Sequence, residues 1–135
     1  MNDKYLDILK EVEVEIDHNT RLLSIIPNQT TPSAREMLSN IYLACGLNPN
    51  SESLTFECSP PKKVVGAISR DLLGLRIAVF GLSPKQIGAL WAVTPYQWIN
   101  INGQFWCFAE RLENIEADIE KKKQLWSCLK ILKLR

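Results

Sequence analysis

A chain of 135 residues, 46% hydrophobic and 23% charged, is long enough to bury the core of one globular domain. It has no apolar run of the roughly 18 residues that a membrane span requires, and its acidic, amphipathic start MNDKYLDILKEVEVEID is unlike a signal peptide. A cytoplasmic protein with no membrane partner is expected. The net charge of +1 conceals an asymmetry: residues 1 to 60 hold four basic and nine acidic side chains, and residues 61 to 135 hold twelve and six. Any surface for nucleic acid therefore belongs to the second part.

Asn2 or Asp3 caps a helix whose apolar residues Tyr5, Ile8, Leu9, Val12 and Ile16 recur at helical spacing, and Leu22, Leu23, Ile25 and Ile26 extend it or form a second turn. PNQTTPS, Pro27 to Ser33, ends it. Ser33 and Glu36 then make a capping box for a short helix through Met37, Leu38, Ile41 and Leu43, stopped by Gly46. From Gly46 to Lys63 the chain is rich in Asn, Ser and Pro and reads as a loop; only Leu54 to Cys58 looks extended, as an edge strand or a β-addition site. This loop divides an acidic helical part, residues 1 to 60, from a second unit, residues 61 to 135. Lys63 to Phe80 resumes helical periodicity through Val64, Ile68, Leu72, Leu75 and Val79, with Gly66 and Gly74 leaving room for a neighbouring helix.

In GLSPKQIGALWAVTPYQWIN, Gly81 to Asn100, Ser83 caps a helix with Pro84 at its first position, and Thr94 caps another with Pro95 in the same place. Two capped helices joined by a tight turn make a helix-turn-helix over Ser83 to Trp91 and Thr94 to Asn102. Ile87, Leu90, Val93 and Trp98 fall where the two helices pack, and Gly88 where they approach most closely. The second helix carries no Lys or Arg, but Tyr96, Gln97 and Asn100 point outward, and Gln and Asn can read adenine edges. Lys62, Lys63, Arg70, Arg76 and Lys85 are the candidate phosphate contacts.

GLSPKQIG followed by AVT resembles the helix-turn-helix of response-regulator and sigma-factor C-terminal domains, with Ala92 where a turn glycine often stands. Continued into GQFWCFAERL, the stretch also resembles the FlhD-like subunits of flagellar and conjugative master transcriptional activators, through Leu90, Ala92, Thr94, Gln97 and the Gln104 to Cys107 segment. Residues 1 to 60 have no counterpart in that family. The resemblance implies an activator subunit that binds double-stranded DNA together with a partner.

After Gly103, apolar residues at Phe105, Phe108, Leu112, Ile115, Ile119, Trp126 and Leu129 step as a heptad seam, with Lys122 in the one missing place. A helix of about 30 residues, roughly 45 Å long, is expected. Its seam either packs on the first helix of the same chain or forms a coiled coil with a second copy or a related subunit. The tail from Lys121 to Arg135 holds six basic residues and no acid; it pairs with Glu116, Asp118 and Glu120 along the helix, or touches phosphate.

Cys45, Cys58, Cys107 and Cys128 form no C-x-x-C pair, and His18 is the single histidine, so no metal or cofactor is expected. No nucleophile–base pair, carboxylate pair or phosphate loop points to catalysis. The sequence thus reads as a mostly α domain whose one candidate strand is Leu54 to Cys58, acting as a DNA-binding transcriptional regulator in a homodimer or with a second regulatory subunit. The alternative is a small helical adaptor, of the phage or plasmid type, with no DNA binding.

Overall fold

The computed structural model describes residues 20–58 and 74–131. Its centre is a five-stranded sheet: β1 (Leu22–Pro27), β2 (Ser53–Cys58), β3 (Arg76–Phe80), β4 (Ile99–Ile101) and β5 (Gln104–Ala109), in the order β2-β1-β3-β5-β4. The first four in that order run parallel, and β4 is antiparallel to β5. Among the described residues three helices accompany it: α1 (Pro32–Ala44), α2 (Leu112–Glu116) and α3 (Ile119–Ile131). The expected mostly α domain is corrected to an α/β fold. The first predicted helix as far as Ile16, and His18, lie outside the described residues, but its expected continuation through Leu22 to Ile26 is strand β1. The helix expected over Lys63 to Phe80 is likewise corrected where it is described, since Arg76–Phe80 is strand β3.

The correction has a simple cause in the central strands. Leu22, Leu23, Ser24, Ile25 and Ile26 are all buried, as are Ile77, Ala78, Val79 and Phe80. Parallel strands covered on both faces read as continuous apolar runs, and in a short run these are hard to tell from a buried helix. Strands β1 and β3 divide their side chains between two cores. Leu23, Ile25, Ile77, Val79, Trp106 and Phe108 point to one face, while Leu22, Ile26, Ala78 and Phe80 meet the helices on the other.

Helix α1 lies where periodicity placed a helix. Thr31, rather than Ser33, is its cap, accepting from the Ala34 amide at 3.3 Å, and Pro32 occupies the first turn, where a missing N–H does no harm. Gly46, at φ 84°, ends it in the left-handed conformation that glycine adopts without penalty. Ala34, Leu38 and Tyr42 face the sheet, and the Tyr42 hydroxyl meets that of Ser24 on β1. Leu54 to Cys58, the candidate strand, is part of the outer strand β2, in register with β1. β1 and β3 pair directly, so residues on either side of position 60 share one sheet.

The proposed helix-turn-helix is absent. Pro84 starts only a single 3₁₀ turn, Lys85–Ile87, and Gly88 at φ 93° ends it. Residues 89 to 98 then cross the sheet without regular structure, and Ile99–Ile101 is a strand. Asn102 and Gly103, both at positive φ, form the two-residue turn that joins β4 to β5.

The 30-residue coiled-coil helix is likewise corrected. Phe105 and Phe108 belong to β5, Leu112 and Ile115 to α2, and Ile119, Trp126 and Leu129 to α3. α2 stops at Ala117, and the Asp118 carboxylate restarts the chain as α3 by accepting from the amides of Glu120 (2.9 Å) and Lys121 (3.3 Å). Leu112, Ile115 and Leu129 are spent on the chain's own core.

Candidate functional site

The sheet's winding changes direction between β1 and β3: β2 lies to one side of β1, and the chain then continues on the other. In open α/β sheets the crevice beyond the C-terminal ends of such strands is the usual ligand site. In this chain the entrance of α2 fills it. The Thr31 amide, after β1, donates to the Glu113 carboxylate at 2.9 Å, and the Gly81 amide, after β3, donates to the Ala109 carbonyl at 3.0 Å. Gly81 has φ 73°, and a Cβ on it would lie 2.7 Å from Arg111 Cγ.

A more open concavity lies on the helical face. α1 and α3 both pack on the sheet, and between them runs a groove of about 490 Å³. One wall is Ser33, Glu36, Met37, Asn40, Ile41 and Ala44 of α1; the other is Lys122 and Trp126 of α3, with Glu116 of α2 at one end. The walls follow from helical geometry. Ala34, Leu38 and Tyr42 use one stripe of α1 for the sheet, which leaves Met37 and Ile41 half-buried along the next. On α3, Leu125, Cys128 and Leu129 face inward, which turns Trp126 outward at 38% exposure. The Lys130 ammonium stands 4.5 Å from the centre of the Trp126 ring. α2 braces α1 where Ser33 donates to Glu116 at 3.3 Å.

The charges in the groove are opposed across it. Glu36 comes from the α1 wall and Lys122 from the α3 wall, and neither side chain is in an ion pair among the described residues. By contrast, Arg35 pairs with Glu57, and Lys121 with Glu110 at 2.7 Å. A smaller cavity, about 240 Å³, lies beneath α1 toward β2, lined in part by Arg35, Leu38, Ser39, Tyr42 and Thr55. Burial pushes the Tyr42 hydroxyl far above its ordinary pKa, so it stays protonated beside Ser24.

The residues expected to touch DNA are not brought together. Tyr96 is half-buried in a turn at φ 63°, its hydroxyl 3.4 Å from the Glu110 carboxylate. Burial, and then the Glu110 charge, push its pKa up to about 12. Gln97 is exposed beside that turn, while Asn100, on β4, caps the hairpin by accepting from the Gly103 amide at 2.8 Å. Arg76 opens β3 with its Nε buried and unpartnered, and Lys85 stands on the 3₁₀ turn beyond the other end of that strand. Lys62, Lys63 and Arg70 lie outside the described residues.

Of the groove residues, only Trp126 stands out in the sequence as a site residue, as part of the seam. Glu36 is there half of a capping box, and Met37 and Ile41 belong to the apolar stripe of a helix. The available signal was α1's surplus of apolar side chains, wider than one buried stripe needs. Among the described residues no cluster of three or more His, Cys, Asp and Glu side chains could hold a metal ion, and no helix is long and apolar enough to cross a membrane. Comparison with protein-family models, with curated proteins and with solved structures finds no match.

Proposed function

We propose that this chain is an interaction domain that takes an amphipathic helix of a partner protein into the groove between α1 and α3. The observation that carries this reading is the groove itself: Met37, Ile41, Ala44 and Trp126 form its apolar floor and walls between two helices, and Glu36 and Lys122 stand opposed across it. Helix-in-groove recognition uses anchors at i, i+3, i+4 and i+7. Helices α1 and α3, at 13 residues each, are about 20 Å long and match three turns or more of such a ligand. The partner helix carries a basic residue toward Glu36 and an acidic one toward Lys122. Trp126 is the central anchor, since Trp is enriched among the residues that dominate binding energy. An adaptor of this kind needs no DNA contact, and the dispersal of Tyr96, Asn100, Arg76 and Lys85 supports that reading over a nucleic-acid face.

The test is a photo-crosslinking amino acid placed at Met37 in the full chain, in cells, with the same group at exposed Ala92 as the control. The cross-linked partner segment is identified by mass spectrometry, synthesised, and titrated into the purified chain by calorimetry. The expected result is a segment with helical apolar spacing, captured at Met37 and not at Ala92, whose affinity falls at least tenfold with Trp126→Ala. Equal capture at both positions, or a peptide whose binding ignores Trp126, would falsify the proposal.

A further inference from the structure

Two thiols meet in the core where β5 passes beneath α3. Cys107 and Cys128 are 2% and 4% exposed, and their sulfurs lie 3.3 Å apart. Cys107 is on the helical side of β5, because its neighbours Trp106 and Phe108 point to the opposite face. A disulfide places its sulfurs about 2.05 Å apart, so closing this pair needs an approach of about 1.2 Å between a strand and one helix.

The two thiols share one hydrogen bond, in which either sulfur can be the donor. The indole N–H of Trp98 donates to the Cys128 carbonyl at 3.0 Å. The hydrogen bond from Cys107, followed by that of Trp98, draws the Cys128 thiol below its ordinary pKa in spite of burial. Holding its proton in the same hydrogen bond, and then burial, raises Cys107.

We infer that Cys107 and Cys128 are a reversible oxidative modification site, a dithiol–disulfide couple that ties β5 to α3. Hydrogen peroxide is the oxidant. The Cys128 sulfur attacks one peroxide oxygen, the O–O bond breaks, and the departing oxygen leaves as water, so that Cys128 becomes a sulfenic acid. The Cys107 sulfur then attacks the Cys128 sulfur, the S–O bond breaks and a second water departs. The two thiols lose two electrons and two protons, and hydrogen peroxide takes up both to become two waters. A small dithiol reverses the bond by exchange. Cys45, which is half-buried, and Cys58, which lies in the opposite core, are internal references.

The test uses the unaltered full chain, so it depends on no variant's folding and on no partner. Reduced protein is exposed to a small excess of hydrogen peroxide, the remaining thiols are alkylated in denaturant, and the chain is digested without reduction. The expected result is a Cys107 peptide linked to a Cys128 peptide, with the thiol titre falling from the four cysteines of the sequence to two and recovering with dithiothreitol. Oxidation of Cys45 while Cys107 and Cys128 remain alkylated thiols overturns the inference, as does over-oxidised Cys128 with no linked peptide.

Discussion

The two faces of the sheet are closed in different ways. On one, helices α1, α2 and α3 cover Leu22, Ile26, Ala78 and Phe80 and leave a groove between two of them. On the other, the irregular stretch from Leu82 to Val93 contributes Leu82, Ile87, Trp91 and Val93 to a core with Leu23, Ile25, Val79, Trp106 and Phe108. There Trp91 meets Trp106 edge-on at 5.0 Å between ring centres, and Trp106 stacks on Phe108 at 6.3 Å. An irregular chain can mould itself to the sheet and fill the space with aromatic side chains. Helices α1 and α3 leave a groove between them, and the surface there is where a third helix fits.

This contrast predicts separate consequences for stability and binding. The largest belongs to the irregular face: Trp106→Ala is expected to lower the unfolding free energy by about 3–5 kcal/mol, read from urea denaturation. Trp106→Phe is expected to cost only a fraction of that, because the indole N–H it removes has no hydrogen-bond partner. A small effect of Trp106→Ala would break the distinction between a filled face and an open one. Next comes the seam where the helices join the sheet. Gly81→Ala places a Cβ against Arg111 at positive φ and is expected to cost about 1–3 kcal/mol in the same assay. On the helical face, Trp126→Ala is expected to change folding stability by less than about 1 kcal/mol while weakening partner-helix binding by more than that. A loss of stability as large as that of Trp106→Ala would make Trp126 a core residue instead.

The smallest effect concerns pH. The hydrogen bond from Arg35 on α1 holds the Glu57 carboxyl of β2 below its ordinary value of 4.5. A carboxyl lowered in the folded state contributes its full stabilisation above the unfolded pKa and loses it as pH falls through the folded one. Acid titration of stability below pH 4.5 is therefore expected to be shallower in Arg35→Gln than in the unaltered chain. Both side chains are exposed, so the difference stays within about 1 kcal/mol.

How legible each region was in the sequence follows from how it is buried. α1 was legible because Pro27, Pro32 and Gly46 bound a clear helical period, and β2 because TFEC alternates between inside and outside as an outer strand does. β1 and β3 were not, since burial on both faces erases that alternation. The hairpin did carry its signal: Asn102–Gly103 between Ile99, Ile101, Phe105 and Cys107 is the expected chemistry of a two-residue turn. It was overridden by the capping pattern of Thr94–Pro95 and by the heptad steps that begin at Phe105. Those steps misled because in a strand a spacing of three residues sends Phe105 and Phe108 to opposite faces. Met37, Glu36, Lys122 and Trp126 were each readable on their own helices. Their meeting across the groove depends on the short α2 and its break at Asp118, which periodicity alone does not reveal.

The measurement to make is a heteronuclear NMR titration of the full chain with the synthetic partner helix captured at Met37. Saturable shifts gathered on Met37, Ile41, Lys122 and the Trp126 indole, with Leu90 to Val93 unmoved, are the expected result. Shifts gathered instead on Leu90 to Val93, where Leu90 stands 94% exposed on the irregular face, would contradict it.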